Sequence, residues 1–447
     1  MMHRLLLLIL LLLGGVQTDA KPPHFLVIVA DDLGWNDVGY HNPEIRTPHL
    51  DRLAAEGVRL EQHYVMPQCT PTRVALMTGR YPSRFGEHCM QASNEQAFPL
   101  GTPTLASVMK DAGYETALCG KWHLGSKVEW GPQHYGFDHY YGSLAGAVGV
   151  YDHRYRLNTP FADTWTRNGE PVEEVGDSTD LVTAEAIRLL KAPREKPLLL
   201  YVPYQAVHTP LIPKPEWMEV NRHIEETDRQ WYAAVVSHMD DCVGQLLHTL
   251  DETGQRDNTV VLFLSDNGAQ VHHSGEQYPP PDFRLRNFSS NKPLRGAKTE
   301  VFEGGMRVPA IVSWPGELAP GVCDAPLHAV DWLPTLARVA GTEAPADTPL
   351  DGRSVWPALT GDAETQAALE ARTLYWAWGV EKRRRVALRE GDWKALRNGP
   401  KAPWRLFNLV DDPYEENDLA EQQPERLAAL QERLDQMAKG DANQQAP

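Results

Sequence analysis

The chain has 447 residues, 42% apolar and 23% charged, and carries a formal net charge of −17. Its length exceeds the range in which one hydrophobic core usually suffices, so at least two folding units are expected, and its composition excludes both a disordered and an all-membrane chain. Such an acidic balance disfavours nucleic acid and anionic lipid as partners, and obliges any anionic substrate to be met by local basic residues and a metal.

Residues 1–20 hold Arg4, an unbroken apolar run over 5–13, then Gly14, Gly15 and the small-residue exit Thr18-Asp19-Ala20. That layout predicts a secretory signal cleaved near Ala20, and its apolar run is too short for a comfortable membrane span. No later segment reaches membrane length. The expected mature protein is therefore exported, to the periplasm or the cell exterior, without a membrane span. The cysteines are Cys69, Cys89, Cys119, Cys242 and Cys323. None shows paired zinc-ligand spacing and a protein of this size needs no disulfides, so zero or one bridge is expected.

Residues 25–30 are a short apolar run rich in branched side chains, which reads as a central parallel strand. Asp31-Asp32 follows, at the carboxyl end where open α/β sheets place their ligands. Adjacent carboxylates repel unless a cation joins them, although a helix cap or turn explains a lone pair equally well. Thr47-Pro48 opens a helix that Gly57 closes, with Leu50, Leu53 and Ala54 on its apolar face. Cys69-Thr70-Pro71-Thr72-Arg73 then precedes the apolar residues 74–77. Pro71 fits the first turn of a helix, whose free N–H groups and dipole would face whatever Cys69 holds. Arg73, in the same turn, adds a permanent positive charge. A nucleophile at an electropositive helix start points to chemistry on an anion; the bland alternative is a buried thiol in a helix cap.

Thr102-Pro103 repeats the helix-opening pattern, with Leu105, Val108, Met109 and Ala112 on one face and Gly113 at the end. Residues 114–118 read as the next strand, delivering Lys121-Trp122-His123. On an extended segment Lys121 and His123 share a face; alone, a surface lysine beside a core-edge histidine reads better. Tyr151-Asp152-His153-Arg154-Tyr155-Arg156 mixes aromatics with arginines, which suits a wall for an acidic sugar or a packed loop. Residues 178–190 are helical by spacing, 198–202 form a buried strand running into the loop that holds His208, and 228–250 form a long amphipathic helix. Residues 260–264 then repeat the first arrangement, an apolar strand followed by Ser265-Asp266-Asn267-Gly268. With a second such strand end, metal binding becomes the better reading. Oxygen-only donors favour calcium or magnesium over zinc, and calcium tolerates irregular coordination better.

Residues 293–309 hold Lys298 and the stretch Glu303-Gly304-Gly305-Met306-Arg307-Val308-Pro309, whose glycines permit close backbone approach. Residues 308–314 read as a strand, and Asp331 as the cap of a helix ending near Gly341. A shift towards Ala, Thr, Pro, Gly and Asp then marks a link. The boundaries drawn are an α/β unit over 21–345, a linker over 346–369 and a C-terminal unit over 370–447. That last unit reads as short strands at 374–378, 385–389, 393–397 and 404–410. A helix over 419–437 follows, with Leu427, Leu430 and Leu434 on one face.

Cys69-x-Pro71-x-Arg73 followed by Thr78-Gly79-Arg80 resembles the signature of the type I, formylglycine-dependent sulfatases. Gly120-Lys121-Trp122-His123-Leu124-Gly125 and the 303–309 stretch resemble further patterns of that family, in its order, across roughly residues 25–420. The resemblance implies an alkaline-phosphatase-like α/β fold: a mostly parallel central sheet flanked by helices, plus a small C-terminal antiparallel sheet with a terminal helix. It implies that Cys69 is oxidised to Cα-formylglycine (3-oxoalanine) by a formylglycine-generating or anaerobic sulfatase-maturating enzyme. It implies one calcium ion, with magnesium the second choice, on Asp31, Asp32, Asp266, Asn267 and the modified residue 69. Arg73 would hold the formylglycine, and Lys121, His123, His208 and Lys298 would form the sulfate-binding and proton-transfer set.

The implied reaction is hydrolysis of a sulfate ester through a hydrated aldehyde and a sulfo-enzyme intermediate. His208, with Lys298, would protonate the leaving oxygen, and His123 would take the second hydroxyl's proton. The sequence over 201–210 looks closer to the arylsulfatase B-like group. That implies a glycosaminoglycan or algal glycan fragment as substrate, N-acetylgalactosamine 4-sulfate included. The candidate sugar contacts are Tyr151, His153, Arg154, His272, His273, Trp378 and Arg383. Two other readings compete. A phosphonate or phosphate monoester hydrolase of the same superfamily would usually want two close metals with more His and Asp ligands. Against a non-catalytic glycan-binding protein stand complete nucleophile, metal and anion sets.

Overall fold

The computed structural model describes residues 21–155, 159–271 and 288–442. Among these, ten strands form one mixed sheet in the spatial order Gly321–Cys323, Val58–Leu60, Ala310–Ser313, Thr259–Ser265, His24–Ala30, Leu198–Pro203, Glu115–Lys121, His139–Ser143, Trp165–Arg167 and Glu170–Pro171. The neighbours from Thr259–Ser265 across to His139–Ser143 run parallel. The innermost of these are near-continuous apolar runs because both faces of the sheet are covered. Phe25, Val27 and Val29 join the core formed with the helix Cys69–Thr78 and the C-terminal sheet. Leu26, Ile28 and Ala30 join the opposite core, against the helix Thr227–Glu252, as the two-residue period of a strand requires.

Register gathers the loops. Ala30 pairs with Ser265 and Val29 with Pro203. Asp31-Asp32, Asp266-Asn267 and the loop to His208 therefore leave the sheet at one edge, and Lys121 ends the next strand. Gly268 lets the helical turn Glu303–Met306 press against this edge. A Cβ there would lie 1.8 Å from the Gly304 carbonyl oxygen, so only glycine fits.

Thr373–Trp378, Arg385–Glu390, Trp393–Arg397 and Arg405–Asn408 form an antiparallel meander. The helix Pro424–Ala438 packs on it and buries Leu430, Leu434 and Ala438. The meander shares the core under the main sheet. Its Trp376 indole N–H donates to the Val65 carbonyl at 2.9 Å, and Lys394 is buried between Glu303 and Glu415, 2.8 Å from each. The α/β architecture expected from the sequence is the one observed, in both sheets.

Local details differ from expectation. Thr104, not Thr102, caps the helix Leu105–Asp111: its hydroxyl accepts from the Ser107 N–H at 3.1 Å, and the Ser107 hydroxyl accepts from the Thr104 N–H at 2.8 Å. Thr47 makes no side-chain cap, because its hydroxyl donates to Asp51 and accepts from the Gly39 N–H. Asp331 leaves its helix uncapped because Arg372 grips both carboxylate oxygens, at 2.6 and 2.9 Å. The terminal helix begins at Pro424; the Leu419 N–H instead donates to the Leu406 carbonyl. Residues 346–369 carry the helix Trp356–Leu359 and most of the helix Ala363–Glu370, with Val355 and Leu369 fully buried. All the cysteines are free and buried. The expected signal, residues 1–20, lies outside the described residues. Among the described residues no helix is long and apolar enough to cross a membrane.

Candidate active site

Gln68 is extended (φ −161°, ψ 157°), so Cys69 takes the first position of the helix Cys69–Thr78, with Pro71 in the first turn. The run Val74 to Met77 is wholly buried and pins this helix in the core. Cys69 is thereby fixed at the floor of a cavity of about 730 Å³, itself only 3% exposed.

Around that floor lies a dense set of charges. Arg73 donates through Nε and Nη2 to Asp266 Oδ2, at 3.1 and 2.8 Å, and through Nη1 to the Lys121 carbonyl at 2.8 Å. The Lys121 ammonium contacts Asp31 Oδ2. Lys298 Nζ lies 2.7 Å from Asp32 Oδ1 and 2.8 Å from Asp32 Oδ2. Asn267 Nδ2 donates to Asp32 Oδ1 at 2.8 Å. The His208 Nδ1–H donates to the Thr209 carbonyl at 2.5 Å, which sets the ring's tautomer and leaves Nε2 3.7 Å from Asp32 Oδ2.

Burial sets the protonation states. It pushes the Asp31 carboxyl up, and Asp266 adds to the effect against Lys121. At Asp32 burial acts the same way but is outweighed by Lys298 and His208, which hold the carboxyl well below the usual range. Burial lowers His208 to about 3. It also takes His123 far below its ordinary value, with Lys121 and Arg73 adding to the shift. The Cys69 thiol is raised, again chiefly by burial.

Two buried oxygens here have no hydrogen-bond donor among the described residues, Asp31 Oδ1 and Asn267 Oδ1. An unsatisfied buried acceptor costs about 1–3 kcal/mol. Candidate ligand atoms of Asp31, Cys69 and Asp266 lie within 4.8 Å of one another, as do those of Asp31, Asp32 and His208. Carboxylates and an amide oxygen with acceptors left over fit a hard divalent cation such as calcium better than zinc.

Asp31, Asp32, Cys69, Arg73, Lys121, His123, His208, Asp266, Asn267 and Lys298 thus converge. Lys121 and His123 do so without sharing an extended face. His123 has φ +56°, and this left-handed turn carries its ring to the cavity. Trp378 and Arg383 line the cavity wall, Trp378 with the Arg385 guanidinium 4.8 Å from its ring centre. Tyr151, His153 and Arg154 do not join them and line a separate cavity of about 640 Å³. The reason is local: His153 stacks on Trp165 at 4.7 Å and bonds the Gly176 carbonyl, and Arg154 pairs with Asp163 at 3.1 Å. His272 and His273 lie outside the described residues. Sequence reasoning misses Gln68, Gln91, Gln270 and Arg385, which also line the cavity. The available signal for Gln68 was its place directly before Cys69. Tyr155, which also lines it, is the member of the 151–155 stretch that reaches the cavity.

Cations gathered around a buried thiol, at the carboxyl ends of parallel strands, suit the binding of an anion. The family model described as Sulfatase matches residues 23–342, and that described as N-sulphoglucosamine sulphohydrolase, C-terminal, matches residues 297–440. The chain belongs to the sulfatase family and is a hydrolase. It is similar to arylsulfatase J of Mus musculus, 33% identical over 484 residues that take in 95% of this chain and 78% of that protein. It is also similar to N-acetylgalactosamine-6-sulfatase of Homo sapiens, 33% identical over 399 residues, 81% of this chain and 73% of that one. Among solved structures it is similar to Ps i-CgsB in complex with k-i-k-neocarrahexaose, with a TM-score of 0.84, 31% identity and 94% of each chain covered. The phosphonate monoester hydrolase of Agrobacterium radiobacter shares the fold, with a TM-score of 0.65 and 17% identity.

Proposed function

We propose that this sulfatase removes sulfate from a sulfated saccharide, a glycosaminoglycan or algal glycan fragment. Residue 69 would be matured to formylglycine, and calcium would be held by Asp31, Asp32, Asp266 and Asn267. The observation that carries the reading is the packing of those oxygens, Arg73 and Lys121 into one buried cluster around Cys69, which with Lys298, His123 and His208 lines the cavity. The saccharide class is supported by the similar proteins, one named for N-acetylgalactosamine 6-sulfate and one solved with a neocarrahexaose. The 4-sulfated sugar belongs beside the 6-sulfated one in any test.

Calcium beside a hydrated aldehyde would supply a nucleophilic oxygen at neutral pH. The chain's own groups do the rest. Arg73, fixed by Asp266 and the Lys121 carbonyl, keeps positive charge beside residue 69. Lys121 and Lys298 offset charge on the ester's oxygens, and preorganised donors of this kind are usually the largest catalytic term. Lys298, held as a cation beside Asp32, gives its proton to the departing oxygen, while the His208 ring, its Nδ1–H taken by the Thr209 carbonyl, offers its Nε2 lone pair there as an acceptor. His123, a neutral ring, accepts a proton released at residue 69. A formylglycine-generating or anaerobic sulfatase-maturating enzyme is the implied partner, and export through residues 1–20 the implied route.

The test is direct. Produced with a maturase, the peptide containing residue 69 should be lighter by about 18 daltons than its thiol form. The Cys69→Ala chain should keep its circular dichroism spectrum and lose hydrolysis of 4- and 6-sulfated N-acetylgalactosamine and of neocarrageenan oligosaccharides. Full turnover by that variant would overturn the scheme. A phosphate ester cleaved faster than every sulfate ester would move the reading to phosphoryl chemistry.

A further inference from the structure

The densest basic run in this acidic chain is Lys382-Arg383-Arg384-Arg385. It lies where the strands Thr373–Trp378 and Arg385–Glu390 are joined. Adjacent like charges repel, and the fold sends them different ways. Arg384 donates to Met90 Sδ and lies 3.7 Å from Asp441. Arg385 donates to the Thr299 hydroxyl at 2.9 Å, and to the Thr299 carbonyl, while covering the Trp378 ring. Arg383 lines the cavity above Cys69 and has no carboxylate partner among the described residues.

The turn that carries Arg383 is firmly built. Gly379 has φ +70°, and a Cβ there would lie 2.6 Å from the Arg383 carbonyl oxygen. The Gly379 N–H donates to the Met90 carbonyl at 2.8 Å, and the Arg383 N–H to the Val380 carbonyl at 2.9 Å. The arginine's backbone is therefore held in place relative to the cavity floor.

No carboxylate is among the described residues lining the cavity, although acidic residues outnumber basic ones in the chain by 60 to 43. The cavity's other cations are already committed. Lys298 is paired with Asp32, and Arg385 is held by Thr299 and Trp378. Burial lowers the Arg385 pKa, Glu300 opposes that, and Arg383 adds to it, so the two guanidiniums act on one wall. Arg383 itself is exposed at the rim.

We infer that the wall at Arg383 binds a second anionic group of the saccharide, a sulfate or a carboxylate distinct from the sulfate removed at residue 69; this rests on the sulfated-saccharide reading above. A guanidinium suits the task because it grips either oxyanion bidentately and keeps its charge at every physiological pH. A rim contact is made equally in the bound substrate and in the transition state, so it acts on KM rather than kcat. The floor takes the reacting sulfate, and the rim selects for a neighbour to it.

The test uses the matured full-length enzyme and matched saccharides. These are N-acetylgalactosamine with one sulfate, the same sugar with 4- and 6-sulfates together, and a monosulfated sugar joined to a uronic acid, beside its carboxyl-reduced form. Wild type should favour one dianionic member over its monoanionic match by about 10-fold in kcat/KM, carried by KM. Arg383→Ala should collapse that ratio towards one, and Arg383→Lys should restore part of it. The disulfated and uronate arms show which oxyanion the wall reads. A ratio that survives Arg383→Ala, or no wild-type preference, overturns the inference and leaves the saccharide reading standing. Failure of converted wild type on every sulfated sugar overturns both. An unchanged Tm in Arg383→Ala certifies that a lost ratio is not lost folding.

Discussion

The protein buries two clusters in which lysines sit among carboxylates. One lies at the cavity floor and sets Asp31, Asp32 and Asp266 against Arg73, Lys121 and Lys298. The other fastens the helical turn Glu303–Met306 to the meander and sets Glu303 and Glu415 against Lys394. The second closes on itself: Glu415 Oε2 accepts the Glu303 N–H, Glu303 Oε2 accepts the Tyr64 hydroxyl, and that hydroxyl accepts from Arg389. Its remaining oxygen, Glu415 Oε1, is out of line for a hydrogen bond but 2.8 Å from the Lys394 ammonium. The first cluster is matched in charge yet leaves Asp31 Oδ1 and Asn267 Oδ1 over, beside a cavity. Burial and charge are common to both. Leftover ligand atoms beside an opening distinguish a candidate metal site from a fastening.

Substitutions should divide the clusters by what they damage. Asp31→Asn should lower sulfate-ester hydrolysis by on the order of 10³-fold. It should also abolish the gain in Tm that calcium gives the chelator-treated wild type, a gain worth about 2.7 kcal/mol at a hundredfold excess over Kd. Thermal unfolding with and without calcium reads this, and a wild type indifferent to calcium would erase the distinction. Lys394→Met should act oppositely, losing about 3–5 kcal/mol of stability in denaturant titration because two buried carboxylates lose their counter-charge. Its folded fraction should keep the wild-type kcat and calcium response; a selective loss of kcat would break the contrast.

The smallest effect is set by pH. Burial raises the Glu415 carboxyl from 4.5 to about 7. The folded chain therefore holds that proton after the unfolded chain has released it. Stability from this group is fully present below pH 4.5 and is lost as pH rises towards 7, at roughly 1 kcal/mol per pH unit. Glu415→Gln should remove the slope, so its stability relative to wild type improves between pH 5 and 7. A flat difference would show that Lys394 holds both partners ionised throughout.

The cavity floor is legible in the sequence because its groups follow short apolar strands or open a buried helix, and parallel register then gathers them. The wall is not legible in this way. Tyr151, His153 and Arg154 have the composition of sugar contacts, yet Trp165, Gly176 and Asp163 hold two of them elsewhere. Trp378, read as a candidate sugar contact, does line the cavity, yet it is 4% exposed, with Arg385 over its ring and its N–H given to Gln68. Such pairings join residues distant in the chain, and no local period reports them. Asp331 fails as a helix cap for the same reason, since Arg372 is the stronger partner.

The hydrogen bond between Trp378 and Gln68 spans 310 positions. Ribosomes deliver the amino-terminal part first, so Cys69 emerges well before the segment that roofs it. Until that segment docks, the cavity beside residue 69 lacks part of its wall. That side of the cavity is thus completed only late in synthesis, and a chain cut short before residue 378 lacks it.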